Sequence, residues 1–167
     1  MWSPDRRSLL MMLAAAPLGA CGFTPAYAPG GGGDLLLNRT RIADPNTRES
    51  YVLVQELEQR LGRATAPDYD LTLKLSLYEA PLAITSDSVT ARFNVLGRVD
   101  YTLTEIATGR KLGQGWEENF ASYSTTGSTV ATRAARADAR ERVVRILVDQ
   151  LIARLIADAH ADAQGAA

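Results

Sequence analysis

The sequence predicts an α+β fold: a two-layer sandwich in which a four-stranded sheet carries two helices packed on one face. Three observations predict it. Tyr69, Leu71, Leu73, Leu75 and Leu77 alternate with Asp70, Thr72, Lys74 and Ser76, the pattern of a strand covered on one side only. Thr90 to Ile106 repeats the alternation and is followed by Thr108-Gly109 and a returning alternating stretch, which makes a hairpin. From about 129 to 160 the period changes to that of a helix, with Val144, Leu147, Val148, Leu151, Leu155 and Ile156 as its apolar stripe.

Ahead of this body, residues 1–20 read as a lipoprotein signal peptide. Arg6 and Arg7 supply a positive start, and Leu9 to Leu18 an apolar run of about ten residues where a bilayer span needs about twenty. Arg6-Arg7 also has the look of a twin-arginine signal, but the ordinary secretory route is the expectation. Leu18-Gly19-Ala20 places small residues just before Cys21, the only cysteine, so that cleavage leaves Cys21 as the lipid attachment site, carrying a thioether-linked diacylglycerol and an acylated amine. Two or three chains anchor far better than one, at about 0.8 kcal/mol per buried CH₂. Gly22 stands where Asp tends to retain lipoproteins of Gram-negative bacteria at the inner membrane, which points to the outer membrane. Residues 21–34 then form a lipidated N-terminus and flexible linker: TPAYAPGGGG carries no apolar period, and no Lys-Ser/Thr follows the glycines to make a phosphate loop.

Residues 35–160 form a single domain. A first strand is expected at 36–43, ended by Asp44-Pro45. Asn46 and Glu49 have the spacing of a capping box for a helix over about 47–61, with Tyr51, Val54, Leu57 and Leu61 facing the core and Gly62 as its stop. Pro81 breaks or bends the Tyr69 strand, and 84–88 reads as a loop or irregular edge. On the next strand Phe93, Val95, Gly97, Val99, Tyr101 and Leu103 share one face. Leu112, Gln114, Trp116, Glu118 and Phe120 alternate on the returning strand, with Gly113 and Gly115 opposite, which marks a bulge or a close backbone approach. The long helix begins alanine-rich, suited to close packing, and carries Asp138/Arg142 and Glu141/Arg145 at i, i+4 on a solvated face. The chain after His160 is expected to fray, with 161–167 a disordered tail.

The chemistry these residues allow is narrow. A chain of 167 residues, 46% hydrophobic, supports a folded core, and a net charge of −1 argues against nucleic acid as the main partner. His160 is the only histidine and lies near the C-terminus, and Cys21 is committed to lipid, so neither a Ser-His-Asp or Cys-His site nor a zinc site can be assembled. No cofactor or metal is expected. Asp68 and Asp70 read as a solvated strand start in preference to a calcium site or paired catalytic carboxylates. On the polar face of the long strands Lys74, Arg92 and Arg98 stand beside Leu96; such a face would suit an amphiphile bearing phosphate groups, but from the residues alone it reads first as an ordinary solvated sheet.

Several stretches carry a family resemblance: Cys21-Gly22-Phe23-Thr24-Pro25-Ala26-Tyr27, Arg48-Glu49-Ser50-Tyr51, the Tyr69-to-Leu77 strand, Thr90-Ala91-Arg92-Phe93 with Tyr101-Thr102-Leu103, and Ser122-Tyr123-Ser124 before an alanine-rich helix ending Leu151-Ile152-Ala153-Arg154-Leu155. In this order they resemble the lipopolysaccharide-assembly lipoproteins of the LptE family, in the alphaproteobacterial form. The resemblance implies a protein anchored on the periplasmic side of the outer membrane. It would sit in the lumen of the β-barrel LptD, help that barrel assemble, plug it, and bind lipopolysaccharide on its way to the outer leaflet. It implies no catalysis, and it places a lipopolysaccharide contact at Arg92. The alternative is an auxiliary lipoprotein of an ABC-type lipid transporter in the periplasm; an enzyme acting on envelope polymers fits least.

Overall fold

The computed structural model describes residues 26–29, 31–84 and 90–165. The signal peptide, Cys21, the linker up to Pro25, most of the expected 84–88 loop and the last two residues lie outside them. The elements are α1 (Gly32–Leu36), β1 (Thr40–Ile42), α2 (Arg48–Leu61), β2 (Tyr69–Ile84), β3 (Thr90–Glu105), β4 (Lys111–Ser124) and α3 (Thr129–Gly165). The sheet has the order β1-β2-β3-β4, with β1 parallel to β2 and the other pairs antiparallel. This is the expected two-layer α+β sandwich, with α2 and α3 against one face and a short third helix added.

That third helix corrects the N-terminal reading. The glycine run does not continue as linker to residue 34, and no strand starts at 36. Gly32 and Gly33 are buried in α1, Leu36 is fully buried, and Asn38 turns the chain with a φ of 58° before a strand of only three residues. Glycine is a poor helix former, so nothing local announces α1; it exists because a bare backbone fits against α3. A Cβ on Gly32 would collide with the Ile156 carbonyl.

Helix α2 begins as expected but is capped by other residues. Thr47, not Asn46, is the N-cap; its hydroxyl accepts from the Ser50 N–H at 3.0 Å, while Ser50 Oγ accepts from the Thr47 N–H at 2.8 Å. The two hydroxyls complete a capping box that needs no Glu49. The buried stripe is Leu53, Leu57 and Leu61, shifting the face away from Tyr51, which is exposed, and from Val54. Gly62 closes the helix with a φ of 72°.

Strand β2 passes through Pro81 and reaches Ile84, with a register shift between Pro81 and Ala83. The proline is tolerated because β1 pairs only with Tyr69–Leu71, leaving β2 an edge strand beyond that point. The β3–β4 hairpin turns at Gly109, φ 71°, with a bulge between Leu103 and Thr104.

Helix α3 is the beam of the molecule. Its buried face runs from Ala139 through Val143, Leu147 and Leu151 to Leu155 and Ala159, onto Val95, Val99, Tyr101 and Leu103 of β3. Burying each such leucine contributes about 1.5–3 kcal/mol. Three sheet glycines admit the helix. A Cβ on Gly97 would stand 2.9 Å from Leu147 Cδ1 and Leu77 Cδ2, one on Gly113 would strike the Asp158 carboxylate, and one on Gly115 would press the Tyr101 ring at 3.2 Å. Next to these glycines the Tyr101 hydroxyl donates to Asp158 Oδ2 at 2.6 Å. The helix does not fray at His160. It continues to Gly165, held by the ion pair of Asp162 with Arg110 of the hairpin. Among the described residues no helix is apolar enough over a sufficient length to cross a membrane.

Two outcomes are expected. Gly97→Val overpacks the β3–α3 contact and should lower the unfolding free energy by about 1–3 kcal/mol in a urea titration. Burial, and next the bond to Asp158, push the Tyr101 phenol up to about 12. A raised phenol favours the folded state fully below its unfolded value near 10, and that advantage drains away between pH 10 and pH 12. Tyr101→Phe should therefore flatten thermal stability over that window, leaving the smaller slope of Tyr69 and Tyr123, both raised first by burial.

Candidate functional site

Because α2 and α3 pack on the same side of the sheet, its other face is uncovered. The register lines its residues into rows. Tyr78, Leu96 and Phe120 form one row across β2, β3 and β4; Ser76, Arg98 and Glu118 the next; Lys74, Asp100 and Trp116 the third. Tyr78, Trp116 and Phe120 are 62%, 50% and 56% exposed. The Arg98 guanidinium lies 4.4 Å over the Trp116 ring and donates to Asp100 Oδ1 at 2.7 Å, which holds the Asp100 carboxyl below its usual range. Two cations and two carboxylates thus occupy the centre of an aromatic surface with no net charge. A cleft of about 350 Å³ lies here, lined by Tyr78, Leu96, Arg98 and Phe120.

The three cations singled out in the sequence are divided by the fold. Lys74 and Arg98 are diagonal neighbours on this face. Arg92 is exposed six residues from Arg98 along β3, about 20 Å away at 3.3 Å per residue, opposite Ser124. Asp68 and Asp70 pair with Arg39 and Arg41 of the β1 segment at 3.5 and 2.8 Å, as befits a strand start. Cys21 lies outside the described residues.

A second surface was not singled out in the sequence. A groove of about 370 Å³ runs between the start of α2 and the first half of α3, with Arg48, Arg133, Arg136 and Arg140 on its walls and Val52 and Val144 among its lining. Its carboxylates are already engaged: Glu49 by Arg140 at 3.1 Å, Asp138 by Arg142 at 3.4 Å and Glu141 by Arg145 at 2.5 Å. Arg48 and Arg133 have no ion pair among the described residues, so the groove keeps an excess of positive charge. The signal was the spacing of Arg133, Arg136 and Arg140 at three and four residues, one face of a helix, masked by the alanines between them.

Under the groove sits Glu79. It follows Leu75 and Leu77 in phase, so it points into the layer between sheet and helix, opposite Val95. It accepts from Tyr123 Oη at 2.9 Å, Arg136 Nε at 2.7 Å and Arg140 Nη2 at 3.0 Å. Burial raises its pKa, but the bonds from Arg136, Tyr123 and Arg140 together outweigh burial and hold it below the usual carboxylate range. One carboxylate thereby aims two arginines into the groove.

The described residues thus form a one-sided α+β sandwich with an aromatic open face and an arginine groove on its helical side. The family model described as "LptE: Lipopolysaccharide-assembly" matches residues 37–155. The chain belongs to the LptE lipopolysaccharide-assembly family. Its fold is similar to that of a putative lipoprotein from Caulobacter crescentus (TM-score 0.61, 19% identity, 77% of this chain and 96% of the other). It is also similar to an uncharacterized lipoprotein B from Nitrosomonas europaea (TM-score 0.61, 14%, 86% and 96%) and to the rare lipoprotein B from Shewanella oneidensis (TM-score 0.58, 13%, 75% and 97%). No curated protein matches the sequence.

Replacing Glu79 by Gln should cost about 1–3 kcal/mol at pH 7, because two arginines lose a charged acceptor. A carboxylate held below its unfolded value near 4.3 favours the folded state above that value and loses the advantage as pH falls through the lowered one. The gap between wild type and Glu79→Gln, measured by chemical denaturation, should therefore narrow below pH 4.

Proposed function

We propose that this chain is an outer-membrane lipoprotein, lipid-anchored through Cys21 on the periplasmic side, that binds and plugs the LptD β-barrel, assists its assembly and helps deliver lipopolysaccharide to the outer leaflet. The family match over residues 37–155 carries this reading. The geometry supports a division of labour. The neutral, aromatic open face around Trp116 and Phe120, steadied by Arg98 and Lys74, has the composition of a protein-contact surface, where large exposed rings and arginine dominate the energetics. Lipopolysaccharide phosphates are met at exposed Arg92 and in the groove of Arg48 and Arg133, since guanidinium binds phosphate in two-pronged fashion.

In mild detergent the native protein should co-purify with a large outer-membrane barrel, and its depletion should lower surface lipopolysaccharide. Trp116→Ala with Phe120→Ala should reduce the recovered barrel by about tenfold or more, the scale of losing central aromatic anchors. Arg48→Glu with Arg133→Glu should leave the barrel bound and lower the lipopolysaccharide that accompanies it. A stable monomer recovered from intact membranes without any barrel would overturn the proposal, and co-purification with an ATP-driven permease would favour the transporter reading.

A further inference from the structure

We propose that, before the chain docks in its barrel, the end of the molecule formed by α1, the β3–β4 hairpin and the last turns of α3 rests on the lipid surface that holds the anchor, with the arginine groove turned away from it. The inference rests on lipid attachment at Cys21. It begins with the seat of α1. Gly32 lies so close to α3 that a side chain there would meet the Ile156 carbonyl and, at 3.1 Å, the His160 nitrogen. The Gly33 N–H donates to the Ala26 carbonyl at 2.9 Å, and the Tyr27 ring lies where a Gly33 Cβ would be, at 2.6 Å. The chain is therefore fixed to the C-terminal part of α3 from Ala26 onward.

Five residue steps separate Ala26 from Cys21, a reach of at most about 18 Å. Ile156 is 23 residues beyond Arg133 on a helix rising 1.5 Å per residue, about 35 Å. A lipid on Cys21 reaches the α1 end and falls well short of the groove. The α1 end is also suited to a lipid interface. Tyr27, Leu37 and Ile106 are 50%, 38% and 42% exposed there. Backbone bonds join the hairpin to the segment that follows Leu37: Asp68 N–H to the Arg39 carbonyl at 2.9 Å, and Ile106 N–H to the Asp68 carbonyl at 2.8 Å. The neighbouring charges are mutually satisfied, Arg39 with Asp68 and Arg110 with Glu105 and Asp162. An aromatic ring and two aliphatic side chains between paired charges favour the headgroup boundary over water. Upright seating follows from the tether, because the anchor reaches only the end of the 37-residue helix at which Tyr27, Leu37 and Ile106 lie.

The test uses the full lipidated chain in vesicles of phosphatidylethanolamine and phosphatidylglycerol carrying a headgroup-linked quencher. With Cys21 blocked by lipid, a fluorophore is placed on Ala163→Cys or Ala134→Cys. Quenching should be several-fold stronger at 163 than at 134. Gly32→Leu should unseat α1, lengthen the free tether and bring the two positions closer together. Leu37→Asp with Ile106→Asp, both at the surface, should keep the circular dichroism of the wild type and weaken quenching at 163. Equal quenching at both positions with Cys21 shown by mass spectrometry to be lipidated overturns this inference alone. A bare Cys21 overturns the anchoring reading itself.

Discussion

The close seating of α3 on β3 and β4 is the contact on which the rest depends. A helix of 37 residues, about 55 Å, lies along strands of 14 and 16 residues, about 50 Å, so one element covers the sheet nearly end to end. Such a contact is only as good as its closest points, because dispersion is lost steeply across a gap of even an ångström. Gly97 and Gly113 remove two side chains that would open that gap, and Gly115 leaves room for the Tyr101 ring between them. The space above Gly113 and Gly115 is refilled by the Tyr101 hydroxyl and the Asp158 carboxylate, which satisfy each other. A polar pair in a packed layer costs little when both groups find partners, and it fixes the helix against sliding.

From that seating follows the open face. With α2 and α3 on one side, the even-numbered residues of β4 and their neighbours on β2 and β3 have no covering layer. An uncovered sheet ordinarily turns wholly polar. Here it keeps Tyr78, Leu96, Trp116 and Phe120 and neutralises its own charges through Arg98, Asp100, Lys74 and Glu118. Selection for solubility alone would not keep three large rings half exposed on one flat surface.

Much of this fold is legible in the residues. Strands β2 and β3 alternate without ambiguity, and α3 is long enough for its period to dominate. The two β4 glycines mark a close approach that the structure contains. What was hidden has a common cause: each missed feature depends on a partner distant in sequence. Helix α1 is made of weak helix formers and is stable only against Ile156. Three leucines in a row read as strand when their real determinant is the surface they meet. The stripe of α2 depends on where α3 lies, which moved it from Tyr51 and Val54 to Leu53. Glu79 reads as the polar end of a strand until its phase is followed to Arg136 and Arg140. The groove escapes because its arginines come from two helices, with Arg48 and Arg133 more than eighty positions apart.

The ladder between the two helices shows how that groove comes to exist. Glu49 pairs with Arg140, Glu56 with Arg145 and Arg60 with Asp149, so the helices run in the same direction. Each pair is partly exposed, and pairs of that kind contribute about 0–1 kcal/mol. They therefore cannot be what holds α2 in place; Leu53, Leu57 and Leu61 do that. What the pairs supply is register. An apolar stripe tolerates a shift of one turn, since leucine can meet leucine in either setting, but such a shift would leave Glu49, Glu56 and Asp149 facing the wrong groups. The ladder selects the one setting in which Arg48, at the first turn of α2, faces the stretch of α3 that bears Arg133 and Arg136. Weak surface charges thus place the strong ones, and Glu79 beneath them fixes the direction in which Arg136 and Arg140 point.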